Sequence, residues 1–293
     1  MTLLAQLLLN ALCNAATYSL LAIGFGLFYR SLRFFNIGFG AVYVVTSYAV
    51  ITASQALGLP LFVSIPSGLI FAGLVSVLMD KLIFHPLDKH GSSSGVLLVA
   101  SLGIYIAIIN LIALIFGNEI KILSKGMEPS YSLGSLIITR IQIIQILVGW
   151  LTTILFWLAI RKNTLIKAIW AMGKVPELIR ALGLPYNQMR AIVFFLSALF
   201  AGLASIATSF DVGFDPHVGM GALLTGAVAV IVGGVDIYWG WICGASLIAF
   251  LQAIGVWLFS AKWNELITFA LLIITLLFRP HGIFSQKRRA EEK

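Results

Sequence analysis

Long apolar runs recur along almost the whole chain, and they constrain its fold more than any other feature. Hydrophobic residues make up 60% of the 293 residues and charged residues 10%, whereas an average soluble domain has about 25% charged residues. Because a soluble protein of this size cannot bury so much apolar surface, lipid is the predicted solvent. The sequence therefore predicts an all-α, polytopic bundle of transmembrane helices, in a single domain over residues 1–293.

Nine of the runs approach the length of a membrane span, for which a helix needs roughly 20 residues. They lie at about 4–29, 37–57, 61–84, 95–117, 141–160, 191–210, 218–235, 237–260 and 263–278. The runs at 218–235 and 263–278 are short, so tilted, broken or re-entrant helices are predicted there. The expected number of spans is about eight to ten.

The positions of Lys and Arg predict the orientation of the chain. With the N-terminus outside and the spans alternating, 15 of the 19 Lys and Arg lie on the inner side and 4 on the outer side. Positive charge resists translocation, so an external N-terminus and a cytoplasmic C-terminal tail (279–293) are favoured. The basic residues lie between the apolar runs as orientation signals do, so the net charge of +8 does not indicate a nucleic-acid partner.

The sequence contains no pattern that indicates catalysis, a metal site or a cofactor. Cys13 and Cys243 are too few and too far apart for a disulfide framework or a metal site. Gly173-Lys174 lacks the upstream glycine and the following hydroxyl residue of a phosphate-binding loop. We therefore expect a chain that is not an enzyme, with no cofactor, and any ATP that drives it is expected to bind another subunit.

Two short polar interruptions at the starts of apolar runs are the best candidates for a solute path. The first, at 35–41, reads Phe-Asn-Ile-Gly-Phe-Gly-Ala, and the second, at 214–222, reads Phe-Asp-Pro-His-Val-Gly-Met-Gly-Ala. In the predicted topology they lie on opposite sides of the membrane. This arrangement is typical of inverted repeats, whose broken helices meet near the midplane, and glycine permits the close backbone approach that such a meeting needs.

Seven residues of these segments, together with Thr225 just beyond the second, form the predicted solute path. They are Asn36, Gly38, Gly40, Asp215, Pro216, Gly219, Gly221 and Thr225. Asn36 and Thr225 offer hydrogen bonds to a zwitterion, and the backbone amides at the helix starts offer them to a carboxylate. Asn36 and Asp215 are also good N-caps, so for Asp215 capping competes with lining the path.

Three predictions concern residues outside this path. Trp239 and Trp241 are expected in the interfacial aromatic belt, and Asp236 is expected in a solvated loop. Small residues at a spacing of four predict faces at which helices pack closely. These are Ala198 with Gly202, Ser197 with Ala201 and Ser205, and Gly240 with Gly244.

The polar segment 161–190 is the longest predicted internal loop. Its apolar residues Leu165, Ile169 and Met172 recur at helical spacing and predict a short amphipathic helix. Such a helix can fill a groove on a partner protein. It can equally lie on the lipid surface.

Several motifs, in this order and spacing, resemble the membrane permeases of branched-chain amino acid ABC importers, a group that includes urea permeases. The resemblance covers nearly the whole chain. It rests on Asn14 to Gly26, Phe35-Asn36 with Gly40, Val42-Tyr43, Ser47-Tyr48, Ser101-Leu102-Gly103, Ala181 to Leu184, Pro216 with 219–234, and Arg279 to Phe284.

The resemblance implies a set of partners in the inner membrane. Two permeases, copies or homologues, would pair there; two ATP-binding subunits would dock on the cytoplasmic side, and an extracytoplasmic solute-binding protein would deliver the solute. Residues 161–190 would then form the segment that couples to the ATPase. The coupling candidates are Ala171, Glu177, Arg180, Ala181 and Gly183.

The chain departs from the family pattern in three places. Where many members read Asn-Phe-Ala-His-Gly-Glu, residues 36–41 lack both the His and the Glu. Thr225 stands where a lysine is often found, and the segment 161–190 carries Trp170, Gly173 and Pro176 at positions that are usually basic or helix-forming. The implied solute, a branched-chain or other amino acid, is the assignment that these changes weaken.

An autonomous secondary transporter or channel, with Asp211 and Asp215 as ion or proton sites, is the alternative from another class. No carboxylate lies firmly inside a predicted central span, which argues against a proton relay. Within the ABC class, permeases for urea, amides or simple sugars are the alternatives.

Overall fold

The computed structural model describes residues 2–123, 130–133, 136–173 and 185–284. These residues form an all-α bundle with one two-stranded hairpin, which confirms the predicted fold class. Seven of the helices are long and apolar enough to cross a membrane, and two apolar helices are shorter. The short ones, at Val218–Gly233 and Asn264–Phe278, coincide with the two runs that the sequence predicts to be short.

The first half of the bundle contains five helices and two π-helical turns. They are α1 (Thr2–Leu32), α2 (Gly38–Ile51) with a π-helical turn (Thr52–Ala56), α3 (Leu61–Met79) with a π-helical turn (Asp80–Phe84), α4 (His85–Lys89) and α5 (Ser94–Phe116). Gly117 ends α5 with a positive φ of 80°, a backbone conformation that glycine adopts without strain.

The second half begins with a hairpin that the sequence analysis did not predict. This second half of the bundle contains β1 (Ser130–Leu133), β2 (Leu136–Thr139), α6 (Arg140–Lys162), α7 (Thr164–Met172), α8 (Tyr186–Asp211), α9 (Val218–Gly233), α10 (Tyr238–Leu258), a 3-10 turn (Ala261–Trp263) and α11 (Asn264–Phe278). The strands are antiparallel. A capping box between Thr139 and Gln142 starts α6, because each side chain bonds the other residue's backbone N–H.

The helices form two groups that pack on each other in a reciprocal pattern. One group is α1, α2, α3 and α5, and the other is α8, α9, α10 and α11. In the first group α2 and α3 pack on α8, and in the second α9 and α10 pack on α1. Within the groups, α2 contacts α3 and α5, just as α9 contacts α10 and α11. Such a pattern is expected of inverted repeats.

Contacts between connecting segments define the two ends of the bundle. At one end Arg30 bonds Asp236, and at the other end the backbone of Lys121 pairs with that of Phe214. Gln6, near the start of α1, exchanges two hydrogen bonds with the backbone of Ile137 in the hairpin. The distribution of these connecting segments between two ends agrees with the predicted alternation of spans. Which end faces the cytoplasm stays a prediction.

The small-residue faces pack closely, as predicted. Gly202 lies against Thr46 of α2, Gly240 lies against the Gly233 backbone, and Gly244 lies against the Ala229 backbone. A cluster of hydroxyl groups joins α2 to α8. In it Ser47 Oγ lies 2.5 Å from Ser205 Oγ and 2.6 Å from Ser209 Oγ.

The prediction for Trp241 is wrong, because this side chain is fully buried. Its indole N–H donates to the Val235 carbonyl oxygen over 3.2 Å. Its ring lies against Gly26 of α1, where a Cβ would approach it to 2.7 Å. Trp239 is 45% exposed, as a residue of an aromatic belt would be.

Candidate solute path

The starts of α2 and α9 meet inside the bundle at two glycines. A Cβ atom on Gly40 would lie 2.6 Å from the Gly219 carbonyl oxygen, and a Cβ on Gly219 would clash with the Gly40 carbonyl oxygen. The two backbones are therefore in direct contact, with no space for a side chain at either position. Because α2 leads from this point toward one end of the bundle and α9 toward the other, two half-helices begin side by side.

The contact lies at the level of the middle of α5. Tyr105 is close to the midpoint of Ser94–Phe116, and its ring would lie 3.3 Å from a Cβ on Gly40. The segment before α2 is also inside the bundle, since the Ile37 N–H donates to Ser101 Oγ over 2.9 Å. The helix starts thus meet within the bundle and away from its ends.

The reciprocal contact fixes the register between the two repeats. Residues that touch their own counterparts lie on the axis that relates the repeats, so Gly40 corresponds to Gly219. This pairing also aligns Phe35 with Phe214 and Asn36 with Asp215, without a gap. Aligning Gly38–Ala41 with Gly219–Ala222, which both read Gly-x-Gly-Ala, would instead shift this register by two residues.

Asn36 does not cap α2, contrary to the prediction. The N-cap position is Ile37, and no side chain caps the helix there. The Asn36 side chain is 3% exposed, and its Oδ1 atom has no hydrogen-bond partner among the described residues. A buried acceptor without a partner is costly, so Asn36 offers a site to a donor group that passes the start of α2.

Asp215 makes a local turn just before α9. Its Oδ1 accepts a hydrogen bond from the His217 N–H over 2.6 Å. The helix itself has no side-chain cap, since its N-cap position is His217. Gly213 turns the chain here with a positive φ of 90°. A Cβ on Gly213 would lie only 2.9 Å from the Lys121 carbonyl oxygen. The carboxylate is half-buried and keeps one oxygen for another contact.

Two tyrosines near Asp215 belong to the candidate site, although the sequence analysis did not select them. Tyr48 of α2 and Tyr105 of α5 both lie within electrostatic range of the Asp215 carboxylate. The Tyr48 ring also contacts Phe214 edge-on, with 5.0 Å between centroids. A polar aromatic residue in the middle of an apolar run was the available signal.

The remaining path candidates lie around this centre. Gly38 packs against the Met79 methyl group, and Pro216 is buried. A Cβ on Gly221 would lie 3.6 Å from a carboxylate oxygen of Glu265 of α11, which is exposed. The Thr225 hydroxyl donates to the Gly221 carbonyl oxygen over 2.9 Å, and only its acceptor capacity is left for a solute.

Together these groups form a centre with charges of both signs. The first turns of α2 and α9 bring the partial positive charge of two helix N-termini to one place. Asp215, four residues before Gly219, supplies a half-buried carboxylate just before α9. Such a centre matches the two ends of a zwitterion, because a carboxylate prefers helix N-termini and an ammonium group prefers a carboxylate.

The sequence matches a known family over most of its length. The family model described as "Branched-chain amino acid transport system / permease component" matches residues 7–276. This chain belongs to that permease family. The permease BraD of Pseudomonas aeruginosa is 25% identical, over 96% of this chain and 95% of its own length. LivH of Escherichia coli is 24% identical, over 96% and 95% respectively.

Two more distant comparisons extend this result. The autoinducer 2 import permease LsrC of Escherichia coli is 29% identical over 45% of this chain and 42% of its own length. A solved structure of PsaBC from Streptococcus pneumoniae, in complex with Fab, matches with a TM-score of 0.55. It covers 95% of this permease and 94% of that chain at 18% identity, and at that identity the likeness shows the fold alone.

At the end of the permease that holds α7, Arg30 ties three segments together. Its guanidinium bonds the Asp236 carboxylate over 2.8 Å and the Trp170 carbonyl oxygen over 3.2 Å. It also lies 4.0 Å from the centroid of the Trp170 ring. Asp236 is 49% exposed in the loop before α10, as predicted, and it also pairs with Arg30 and Arg33, which the sequence did not indicate.

The apolar face of α7 is turned into the permease itself. Ile169 and Met172 are buried, and the Ser31 hydroxyl donates to the Ile169 carbonyl oxygen over 3.2 Å. The prediction that this face is free for a partner therefore fails for these two residues, while Leu165 is 44% exposed. The coupling candidate Ala171 is exposed. The other four (Glu177, Arg180, Ala181 and Gly183) lie outside the described residues.

Two departures from the family pattern have a structural reason at this contact. Trp170 stacks on Arg30, as described above. Gly173 lets the end of α7 touch the end of α1, because a Cβ there would overlap the Arg30 carbonyl oxygen. Both residues therefore hold α7 against α1.

We expect Gly173→Ala to loosen α7 from the permease and to destabilise the folded chain by about 1–3 kcal/mol, the usual range for overpacking. Thermal unfolding of the detergent-purified chain measures this change. Gly95→Ala is the matched control, because the nearest atom to its Cβ would be Ser93 Oγ at 3.7 Å. Equal melting temperatures for the two variants would contradict the packing argument.

A buried ion-pair network lies where α8 begins, at the end of the segment 161–190. Arg190 Nε bonds Asp80 Oδ1 over 2.7 Å, and Arg190 Nη1 bonds Asp88 Oδ2 over 2.5 Å. Arg190 is 2% exposed and Asp80 is 4% exposed. The network thus ties the start of α8 to the π-helical turn after α3 and to α4.

Proposed function

We propose that this permease is the membrane-spanning subunit of an ABC importer in the inner membrane. It moves a small zwitterion, a branched-chain or other amino acid, and separate subunits hydrolyse the ATP. The observation that carries the proposal is the contact between Gly40 and Gly219, which brings two half-helix starts together beside Asp215. Membership of the permease family and the names of the relatives BraD and LivH support the same assignment.

The chemistry of the path follows from its charges. The solute carboxylate binds at the starts of α2 and α9, where the helix dipoles favour negative charge. The ammonium group binds Asp215, and Asn36 Oδ1 accepts a further hydrogen bond. The apolar walls of the bundle face the hydrocarbon side chain of the amino acid.

The proposal includes the partners that the family resemblance implies. A second permease subunit completes the membrane unit, two ATP-binding subunits dock on the end that holds α7, and a solute-binding protein docks on the opposite end. The N-terminus is then outside and the C-terminus is cytoplasmic, in agreement with the distribution of Lys and Arg. Ala171 lies on the exposed face of α7, where an ATP-binding subunit can contact it.

Reconstitution tests the proposal directly. Liposomes that contain the permease with its ATP-binding subunits and binding protein should take up labelled leucine only when ATP is present. Urea and a simple sugar serve as competing solutes. ATP-independent flux through liposomes that contain this chain alone would replace the importer with a secondary transporter or channel.

We expect Asp215→Asn to weaken uptake of a zwitterionic amino acid by roughly 10- to 100-fold, since a charge-assisted hydrogen bond contributes about 1.5–3 kcal/mol. The amide keeps an acceptor for the His217 N–H, so the turn before α9 is preserved. Asp211→Asn is the control, because Asp211 is an exposed carboxylate at the end of α8, four residues before Asp215. Equal uptake by both variants would remove Asp215 from the path.

A further inference from the structure

A cavity of about 590 Å³ opens on the side of the bundle between α2, α3 and α5. Its walls are almost entirely apolar and include Phe71 of α3, Ile112 of α5 and Ala49 of α2. The π-helical turn after α2 borders it through Thr52 and Ala53. The volume lies within the range of about 300–1,000 Å³ that small-molecule sites occupy, but the walls lack the polar groups that a hydrophilic solute needs.

A cation lies at one end of this cavity. The Lys121 ammonium is 5.2 Å from the centroid of the Phe116 ring and 5.9 Å from that of Tyr48, and both rings line the cavity. Within the described part of the chain, the salt bridges all involve other cations, so no carboxylate neutralises Lys121. The Lys121 backbone is held by its pairing with Phe214.

Tyr48 lies between the cavity and the segment before α9. The Tyr48 hydroxyl oxygen is buried and has no hydrogen-bond partner among the residues that the structure describes. Its ring faces the cavity on one side and Phe214 on the other. The cavity therefore offers a positive charge at one end and an apolar chamber that opens on the side of the bundle.

We propose that this cavity binds one acyl chain of an anionic diacyl phospholipid. The lipid phosphate pairs with Lys121, and the hydrocarbon chain lies against α3 and α5. The charged end and the apolar chamber follow the order along a phospholipid, from headgroup to chain. A lipid bound here also packs against Tyr48, which contacts the segment before α9, so the site adjoins the candidate solute path.

Photo-crosslinking of the full chain in detergent micelles tests the proposal. The probe is phosphatidylglycerol with a diazirine near the end of one acyl chain, and cross-linked peptides are identified by mass spectrometry. We expect cross-links concentrated at 67–75 of α3 and 108–116 of α5. Lys121→Ala should lower them by roughly fivefold, since one basic residue near an anionic lipid surface contributes about 1 kcal/mol. Lys262→Ala, which removes another exposed cation, should leave them unchanged.

A second variant tests the chamber itself. Ala49→Phe fills the cavity and should abolish chain cross-links at both segments, and inorganic phosphate in excess should not displace the lipid. Cross-links spread evenly over exposed apolar faces, such as 151–158 of α6, would overturn the proposal, as would insensitivity to Lys121→Ala. Cross-links that join these segments to a second copy of the chain would show that protein covers the cavity, and this result would also overturn the proposal. If Ala49→Phe does not fold, the comparison of the two lysine variants still decides.

Discussion

Gly40→Ala is expected to abolish ATP-driven solute uptake by the assembled importer while the chain still inserts into the membrane. The new Cβ would lie 2.6 Å from the Gly219 carbonyl oxygen. That neighbour is backbone, so it cannot move aside as a flexible side chain can. The starts of α2 and α9 must then separate, and the amides and the Asp215 carboxylate lose their common centre. Gly219→Ala is expected to have the same effect, since its Cβ would meet the Gly40 carbonyl oxygen.

Gly103→Ala is the matched control for both variants. Gly103 also lies inside a membrane helix, but nothing lies within 4 Å of the position that its Cβ would take. Uptake, membrane insertion and co-purification with the ATP-binding subunits are measured for all three variants. If Gly40→Ala and Gly103→Ala transport equally well, the close contact of the half-helices is not required for transport.

Arg190→Met is expected to destabilise the folded permease by about 3–5 kcal/mol, because it leaves a buried carboxylate without its partner. Asp80 is 4% exposed and lies 2.7 Å from the Arg190 guanidinium. The double variant Arg190→Met with Asp80→Leu removes both charges and should recover much of this loss. Thermal or denaturant-induced unfolding in detergent measures the stability of the unmutated chain, of Arg190→Met and of the double variant.

Arg161→Ala is the comparison for this prediction. Arg161 is exposed and stacks on Trp157, with 4.1 Å between the guanidinium carbon and the ring centroid. An exposed cation–π contact contributes about 0.5–1 kcal/mol, so a much smaller change is expected. If Arg190→Met and Arg161→Ala lower stability equally, or if the double variant is no more stable than Arg190→Met, the ion-pair network does not hold α8 to α3 and α4.

The candidate site was partly predictable from sequence. The glycine-containing interruptions at 35–41 and 214–222 indicate where helices break, and the distribution of charge places them on opposite sides. Their contact was therefore expected in kind. Its register was not, because aligning the two Gly-x-Gly-Ala motifs shifts it by two residues. Tyr105 and Tyr48 were missed, since α5 and the end of α2 reach the site only after the bundle is packed.

Errors in the sequence analysis have a common physical origin. Trp241 was assigned from residue type and position near a span end, where aromatic residues commonly meet the interface. In the structure Gly26 leaves space for the Trp241 ring inside the bundle. The apolar face of α7 was expected on a partner or on the lipid surface, whereas Ile169 and Met172 are buried in the chain itself. Each outcome depends on a neighbour that local patterns do not reveal.

The sequence by itself determined the solvent, the helical class and the positions of the broken helices. These depend on the apolar runs, on the distribution of Lys and Arg between them, and on the glycines at the interruptions, all of which act locally along the chain. Only the tertiary structure decided which backbones touch, which charges are buried as pairs and which side chains surround Asp215. In a membrane, close packing of small residues and hydrogen bonds between distant segments select the arrangement of helices. Those contacts join residues, such as Gly40 and Gly219, that no local window contains together.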